Sequence, residues 1–166
     1  YNGDTIRELL HYTDGRFASV HALEPDRRSF RKLNEWASAN ITGDVTLVQA
    51  GAWNEDTVKC FTDQAGRQSR VAGQGKETQM RALDSVLSGR PCTYLKMDVE
   101  GAEREAIAGA EKTIRQYAPK LNIAAYHRSE DFFQLPLLIH ALQPSYRLYL
   151  RHHPYVPAWD TNLYAI

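Results

Sequence analysis

The sequence predicts an α/β fold with a mostly parallel β-sheet, and two observations support this. First, four short apolar runs each end in polar or small residues, as the buried strands of parallel sheets do. They cover residues 17–26, 45–54, 93–101 and 120–128. Second, segments with helical periodicity lie between or after these runs, and such alternation is typical of parallel sheets with right-handed crossovers.

The predicted helices cover 27–39, 102–117 and 131–143. In the second helix, small and aliphatic residues recur on one face, which lets the helix lie close to a sheet. Two further runs near the C-terminus, 146–153 and 162–166, are separated by a Pro-containing connection. They predict an antiparallel pair at the sheet edge.

Residues 55–82 interrupt this alternation. The segment contains VKCFT, then a stretch rich in Gly, Arg and Gln, then TQMRALDSVL, which continues to Leu87. We interpret it as a β-hairpin or a mobile loop, followed by a short helix that begins near Leu83. Because so long a loop in a compact domain is usually functional or disordered, we expect a lid on the substrate side.

Length and charge limit the classes of function. With 166 residues the chain is predicted to form one domain over residues 1–166. Twenty Lys and Arg balance twenty Asp and Glu, so net charge favours neither a nucleic acid nor a membrane surface as partner. No apolar run approaches the ~18 residues that suggest a transmembrane helix.

The two cysteines and the first residues give two further expectations. Cys60 and Cys92 lack CxxC spacing, which favours reduced thiols in a cytoplasmic protein. The chain begins with YNGDT, which looks like the middle of a motif. We therefore expect sequence upstream of Tyr1.

Polar residues follow the predicted strands at four places. In open α/β sheets, ligands bind beyond the carboxyl ends of the strands, so we expect these residues to converge in one site. The four groups are Glu24-Pro25-Asp26, Gly51-Ala52-Trp53-Asn54, Asp98-Val99-Glu100-Gly101 and Tyr126-His127-Arg128.

Glu24 is the first candidate binding residue. It lies 21 residues after Gly3, close to the spacing at which nucleotide-binding folds place an acidic residue on the ribose hydroxyls. A solvated carboxylate that caps the helix after Pro25 is the alternative explanation. Gly3 and Asp4 would be the remainder of a glycine-rich loop, although NGD is equally common in plain turns.

The stretch YLKMDVEGAERE, from Tyr94 to Glu105, ends a strand in acidic residues. Glu100 and Glu103 are explained by the start of a helix, where the helix dipole favours negative charge. Asp98 is expected at the last buried position of the strand, where a carboxylate without a partner is costly. Asp98 is therefore a candidate active-site residue.

His127 follows the fourth strand and is expected at the same sheet edge as Asp98. A histidine there is suited to proton transfer near neutral pH, while a purely structural role is the alternative. A metal site that combines Asp98 with His127, His152 or His153 is conceivable. No ligand spacing supports one, so the sequence predicts no metal.

Taken together, these motifs resemble those of the FkbM family of S-adenosylmethionine-dependent methyltransferases. The residues that carry the resemblance are YNGDT, VHALEPD, RALDSVL, YLKMDVEGAE, KLNIAAYH and NLYAI, in this order over nearly the whole chain. KMDVEGAE is the most specific of them. The resemblance implies a class I, Rossmann-like sheet in three layers, whose first strand would precede Tyr1.

The resemblance also implies roles for individual residues. Glu24 would bind the ribose hydroxyls of S-adenosylmethionine, and Asp98 would lie beside the methyl donor. The remaining cofactor-binding residues would be Gly3 and Asp4 under the methionine moiety, Pro25 and Asp26 at the adenosine edge, and Gly51, Ala52 and Trp53 beside the adenine.

Methyl transfer to a hydroxyl group requires alignment of the acceptor with the methyl group and removal of a proton. His127 is the preferred base and Asp98 the preferred positioning residue. The family suggests a hydroxyl group on a sugar, glycan or secondary metabolite as acceptor. Two alternatives remain open, namely an NAD(P)-dependent Rossmann oxidoreductase and a non-catalytic relative that only binds the cofactor.

Overall fold

The computed structural model describes residues 3–61, 76–153 and 160–166, which form a mixed α/β fold. The strands are β1 (Ser19–Leu23), β2 (Asp44–Val48), β3 (Gly51–Ala52), β4 (Thr57–Phe61), β5 (Lys76–Arg81), β6 (Tyr94–Met97), β7 (Lys120–Ala124), β8 (Leu148–His152) and β9 (Thr161–Ala165). The helices are α1 (Asp4–Tyr12), α2 (Arg27–Asn40), α3 (Leu83–Leu87), α4 (Glu103–Ala108), α5 (Glu111–Tyr117) and α6 (Asp131–Leu142).

Within the described ranges, the strands form three hydrogen-bonded groups, with the orders β1-β2, β3-β5-β4 and β6-β7-β9-β8. The pairs β1–β2 and β6–β7 are parallel. The pairs β7–β9 and β8–β9 are antiparallel. The antiparallel pair predicted near the C-terminus is therefore present, and it extends the sheet beyond β7.

The hydrophobic core lies around β6, β7 and β9, with α4, α5 and α6 packed on them. Its largest fully buried aliphatic side chains are Ile107, Ile114, Leu121, Ile123, Leu135, Ile139 and Leu163. Leu23, at the end of β1, is partly buried against this core. The core therefore supports β6 and β7, whose carboxyl ends carry Asp98 and His127.

The predicted burial of the first two strands is wrong. All residues of β1 are only partly buried, and β2 begins with an exposed residue. In the described residues these strands pair only with each other, so their surfaces are less covered than those of a central strand. The predicted strand 45–54 is also divided. It turns after β2, and β3 pairs with β5 instead.

The predicted helix 102–117 is two helices, α4 and α5. Asp84 of α3 forms hydrogen bonds with the backbone at the junction between them. Its backbone N–H donates to the carbonyl of Gly109 at 2.8 Å. Its carboxylate accepts hydrogen bonds from the backbone N–H groups of Lys112 and Thr113, both at 2.9 Å. These bonds satisfy donors at the start of α5, so packing from α3 overrides the local helical pattern.

The segment 55–82 contains an antiparallel pair, β4 with β5, followed by α3, which begins at the predicted Leu83. Residues 62–75 lie outside the described residues, so the predicted lid is still a prediction. The helix α1 is not among the predicted helices. No helix of the described chain is long and apolar enough to cross a membrane, and Cys60 and Cys92 are both free.

Candidate active site

The turn between β6 and α4 has a backbone conformation that few residues adopt. Glu100 and Gly101 have φ values of 53° and 92°, both in the left-handed region. A Cβ atom on Gly101 would lie 3.3 Å from Nε of Arg128. Glycine therefore meets both the conformational and the steric requirement, as expected of a tight strand-to-helix turn.

Asp98 is not the buried carboxylate that the sequence predicts. The strand β6 ends one residue earlier, at Met97, and 45% of the Asp98 side chain is exposed. The hydroxyl of Tyr126 donates to the two carboxylate oxygens of Asp98, at 3.3 and 3.2 Å. The buried carboxylate is Glu103, the first residue of α4, which is only 1% exposed.

His127 lies among three carboxylates, and this arrangement is the centre of the candidate site. Its Nδ1 is 2.8 Å from Oε1 of Glu103. Its Nε2 is 3.5 Å from Oδ1 of Asp98 and 3.4 Å from Oε2 of Glu100. The structure thus brings together the two predicted catalytic residues, Asp98 and His127, at the ends of β6 and β7.

The carboxylates change the proton affinity of their neighbours. Burial alone would lower the pKa of His127, but the hydrogen bond to Glu103 and the charges of Glu103, Asp98 and Glu100 raise it above its ordinary value of 6.5. Burial, and next the charge of Asp98, raise the pKa of the Tyr126 phenol. Tyr126 therefore stays protonated and acts as a hydrogen-bond donor to Asp98.

The same side chains have the chemistry of cation ligands. One ligand atom from each of Asp98, Glu103 and His127 lies within 4.8 Å of the others. Imidazole and carboxylate groups bind several divalent transition metals. These positions have no sequence spacing typical of a metal motif, and the sequence prediction names no metal.

The end of β1 contains the predicted ribose-binding residue. Glu24 is 8% exposed, and its Oε1 accepts a hydrogen bond from the backbone N–H of Asp26 at 2.8 Å. Glu24 is therefore not solvated, but it does bind the backbone N–H of the residue that caps α2, as the alternative explanation expects. The carboxylate of Asp26 caps α2 by accepting from the backbone N–H groups of Arg28 and Ser29.

Gly51 lies beside this strand end. A Cβ atom placed on Gly51 would lie 3.8 Å from Cβ of Pro25 and 2.8 Å from the side chain of Met80. Gly51 is buried and Ala52 is half-buried. The structure therefore brings the Gly51 turn, after β2, close to the predicted adenosine edge.

The other predicted binding residues lie at backbone turns. Gly3 is the N-cap of α1 with a φ of 90°, and a Cβ atom there would lie 2.8 Å from the Trp36 ring. Asp4 is exposed at the first position of α1. Trp53 is half-buried, and Nζ of Lys59 lies 5.4 Å from the centre of its ring.

Sequence reasoning missed Glu103 as a member of the site, and it placed Tyr126 there without a role. Acidic residues are common at the start of a helix for electrostatic reasons. The sequence pattern therefore does not distinguish Glu103 from Glu105, two positions later. The available signal was weak. Glu103 falls two residues after Gly101, at the first position of α4, where a side chain can point back towards the strand ends.

Comparison with known proteins identifies the family. The sequence matches the Methyltransferase FkbM domain over residues 1–157. The chain belongs to the FkbM methyltransferase family. This assignment favours a transferase over the oxidoreductase considered from sequence, because the match extends over residues 1–157 of the 166 in the chain.

Two solved structures resemble this FkbM domain. One is methyltransferase FkbM from Methylobacillus flagellatus KT, with a TM-score of 0.81 and 31% sequence identity. The match covers 99% of this chain and 40% of that chain, so the domain spans less than half of the solved protein. No curated protein matches the chain.

The second is a presumed methyltransferase from Streptococcus mutans, solved in complex with SAH. It has a TM-score of 0.58 and 13% identity, over 99% of this chain and 82% of that one. At this identity the likeness shows a common fold alone.

Proposed function

We propose that this FkbM domain is an S-adenosylmethionine-dependent O-methyltransferase with a Rossmann-like, three-layer sheet. The acceptor would be a hydroxyl group on a sugar, glycan or secondary metabolite. The observation that carries the proposal is the meeting of His127 and Asp98 at the carboxyl ends of two parallel strands, in a chain that belongs to a methyltransferase family. Ligands bind at this end of open α/β sheets.

The residues at the strand ends fit the cofactor chemically. Glu24 is a buried carboxylate oriented by a backbone N–H group, which suits the hydroxyls of a ribose. The other proposed contacts are Gly3, Asp4, Pro25, Asp26, Gly51, Ala52 and Trp53. Asp98, with Glu100 nearby, supplies negative charge where a sulfonium group would be bound.

Bound S-adenosylmethionine would supply a methyl group activated by a positively charged sulfur, with S-adenosylhomocysteine (SAH) as the leaving group when the acceptor oxygen attacks. The chain's own residues align the acceptor and remove its proton. Nε2 of His127 accepts the hydroxyl proton as the oxygen–carbon bond forms. Asp98, held by the hydroxyl of Tyr126, positions the reacting groups.

Calorimetric titration of the full chain with S-adenosylmethionine and with SAH tests the cofactor proposal. We expect both to bind, and Glu24→Ala to weaken binding by about 10- to 100-fold, because hydrogen bonds to a charged group contribute roughly 1.5–3 kcal/mol. The control is Glu35→Ala, which removes an exposed carboxylate of α2 and should leave the affinity unchanged.

Three results would contradict parts of the proposal. Folded protein that binds NADH and neither S-adenosyl compound would restore the oxidoreductase alternative. Cofactor affinity that is the same in Glu24→Ala and wild type would remove Glu24 from the ribose site. Binding without methyl transfer to any hydroxyl acceptor would identify a non-catalytic relative.

A further inference from the structure

Glu103 is buried more completely than a helix start requires. It is 1% exposed, and its Oε2 is buried with no hydrogen-bond partner in the described residues. A negative charge at a helix N-terminus gains only about 0.3–1 kcal/mol, whereas the burial of a charge costs several kcal/mol. The position of Glu103 in the helix therefore does not account for its burial, and its contacts must.

Both described contacts of Glu103 are made by one oxygen atom. Oε1 accepts a hydrogen bond from the backbone N–H of Val99 at 3.1 Å and faces Nδ1 of His127 at 2.8 Å. An ionised carboxylate only accepts hydrogen bonds. Nδ1 must therefore carry the hydrogen, and the neutral imidazole then has its basic lone pair on Nε2.

Nε2 faces the opposite side, towards Asp98 and Glu100. The distances of 3.5 and 3.4 Å are at or beyond the upper limit of a good hydrogen bond. A neutral Nε2 gains nothing from these oxygens, because lone pairs would face each other. Once Nε2 receives a proton, both carboxylates attract it. The site thus stabilises the imidazolium that forms when a base removes a proton.

Charged groups from several elements surround His127. Asp98 and Glu100 lie on the turn after β6, and Glu103 lies on α4. The ring of Tyr126 lies beside the imidazole, tilted by 42° to it, with 4.3 Å between the ring centres. Asp131 of α6 also interacts electrostatically with His127; its buried carboxylate oxygens have no hydrogen-bond partner among the described residues, and the Arg128 cation opposes the effect of the neighbouring carboxylates on it.

We propose that Glu103 is a positioning residue that fixes His127 in the Nδ1–H tautomer and directs its Nε2 at the acceptor hydroxyl. This inference rests on the proposed function for the identity of the proton donor. The tautomer assignment rests on the shorter of the contacts of His127, that between Nδ1 and Glu103, and the tautomer can be measured without an acceptor.

Nitrogen-15 NMR of the histidine side chains in the full chain tests the assignment. His127→Gln identifies the signals of His127 among the six histidines. We expect Nδ1 to be protonated and Nε2 unprotonated above the pKa of His127. In Glu103→Gln that pKa should move to lower pH, because a charge that favours the imidazolium is lost. The amide can also donate to Nδ1, so the Nε2–H tautomer should become populated.

Glu105→Gln is the matched control, since it makes the same change two residues later on α4. It should leave both the tautomer and the pKa of His127 unchanged. The affinity for SAH, measured on the same samples, should be alike in wild type and Glu105→Gln. Absence of SAH binding in both proteins would contradict the proposed function without affecting the tautomer assignment.

Three outcomes would overturn the role of Glu103. They are an Nε2–H tautomer in wild type, no change in pKa or tautomer in Glu103→Gln, and selective broadening of the His127 signals by an equimolar amount of Mn²⁺. The last would make Nε2 a metal ligand rather than a base. If Glu103→Gln does not fold, the wild-type spectrum and the Mn²⁺ titration still decide the question.

Discussion

At the scale of single residues, two carboxylates determine the turn that follows β1. Glu24 accepts the backbone N–H of Asp26, and Asp26 in turn accepts the N–H groups of Arg28 and Ser29. These bonds satisfy donors that the first turn of a helix leaves without partners. The turn therefore combines a structural residue, Asp26, with the proposed ribose-binding residue, Glu24.

We expect Asp26→Ala to lower the free energy of unfolding by about 1 kcal/mol, the usual cost of losing an N-cap. Asp26→Asn should retain most of that stability, because its amide oxygen still accepts from the same N–H groups. Urea denaturation followed by circular dichroism measures both. Glu35→Ala, a change on the exposed side of α2, should shift stability by less than about 0.5 kcal/mol. Equal stability of Asp26→Ala and wild type would show that the cap is dispensable.

At the scale of elements, the end of α5 contains conformational strain. Ala118 has a φ of 44°, in the left-handed region, and its N–H donates to the carbonyl of Ile114. Pro119 follows and is buried. A left-handed conformation at this place is common where helices end, but glycine adopts it at much lower cost than alanine.

Ala118→Gly should therefore raise the free energy of unfolding by about 0.5–1 kcal/mol. Glycine relieves a left-handed strain of roughly 1–2 kcal/mol in the folded state, and this gain exceeds the stability lost because glycine makes the unfolded chain more flexible. Ala39→Gly is the matched change within α2, at an exposed helical position. It should lower stability by up to about 1 kcal/mol. Thermal unfolding of the two variants should thus give shifts of opposite sign, and shifts of the same sign would contradict the interpretation.

At the scale of the whole molecule, the positions of helices and strands along the sequence were more predictable than the way in which the strands pair and the helices divide. Apolar runs and helical periodicity are local signals, and they locate β1, β6, β7, α2 and α6 to within a few residues. The division of the helix 102–117 depends on Asp84, which is distant in sequence. The division of the strand 45–54 depends on pairing with β5, which no local pattern encodes.

The site was predictable only in part, for a similar reason. Asp98 and His127 could be named because they directly follow apolar runs. Glu103 is buried although its side chain is polar, and only the contact with His127 explains this burial. Asp98 was assigned the wrong environment because burial alternates along β6: Leu95 and Met97 are buried, whereas Asp98 continues the exposed side of the strand.

Asp131 makes global stability depend on pH. It is the first residue of α6, and both its carboxylate oxygens are buried without a hydrogen-bond partner among the described residues. Burial, and next the charge of Glu103, raise its pKa above the ordinary 3.8. The folded protein therefore binds this proton more tightly than the unfolded chain. Its contribution to stability is complete below pH 3.8 and is lost as the pH rises through the folded-state pKa.

Asp131→Asn removes this titration while it keeps the size of the side chain. The free energy of unfolding of the variant, relative to wild type, should therefore increase as the pH rises from about 4 to about 7. Urea denaturation at several pH values measures the difference. Glu35→Gln, which neutralises an exposed carboxylate on α2, should show no such increase. If Asp131→Asn were less stable than wild type by the same amount at every pH, the prediction would be wrong. The carboxylate of Asp131 would then be ionised in the folded protein, and other interactions would offset the cost of burying its charge.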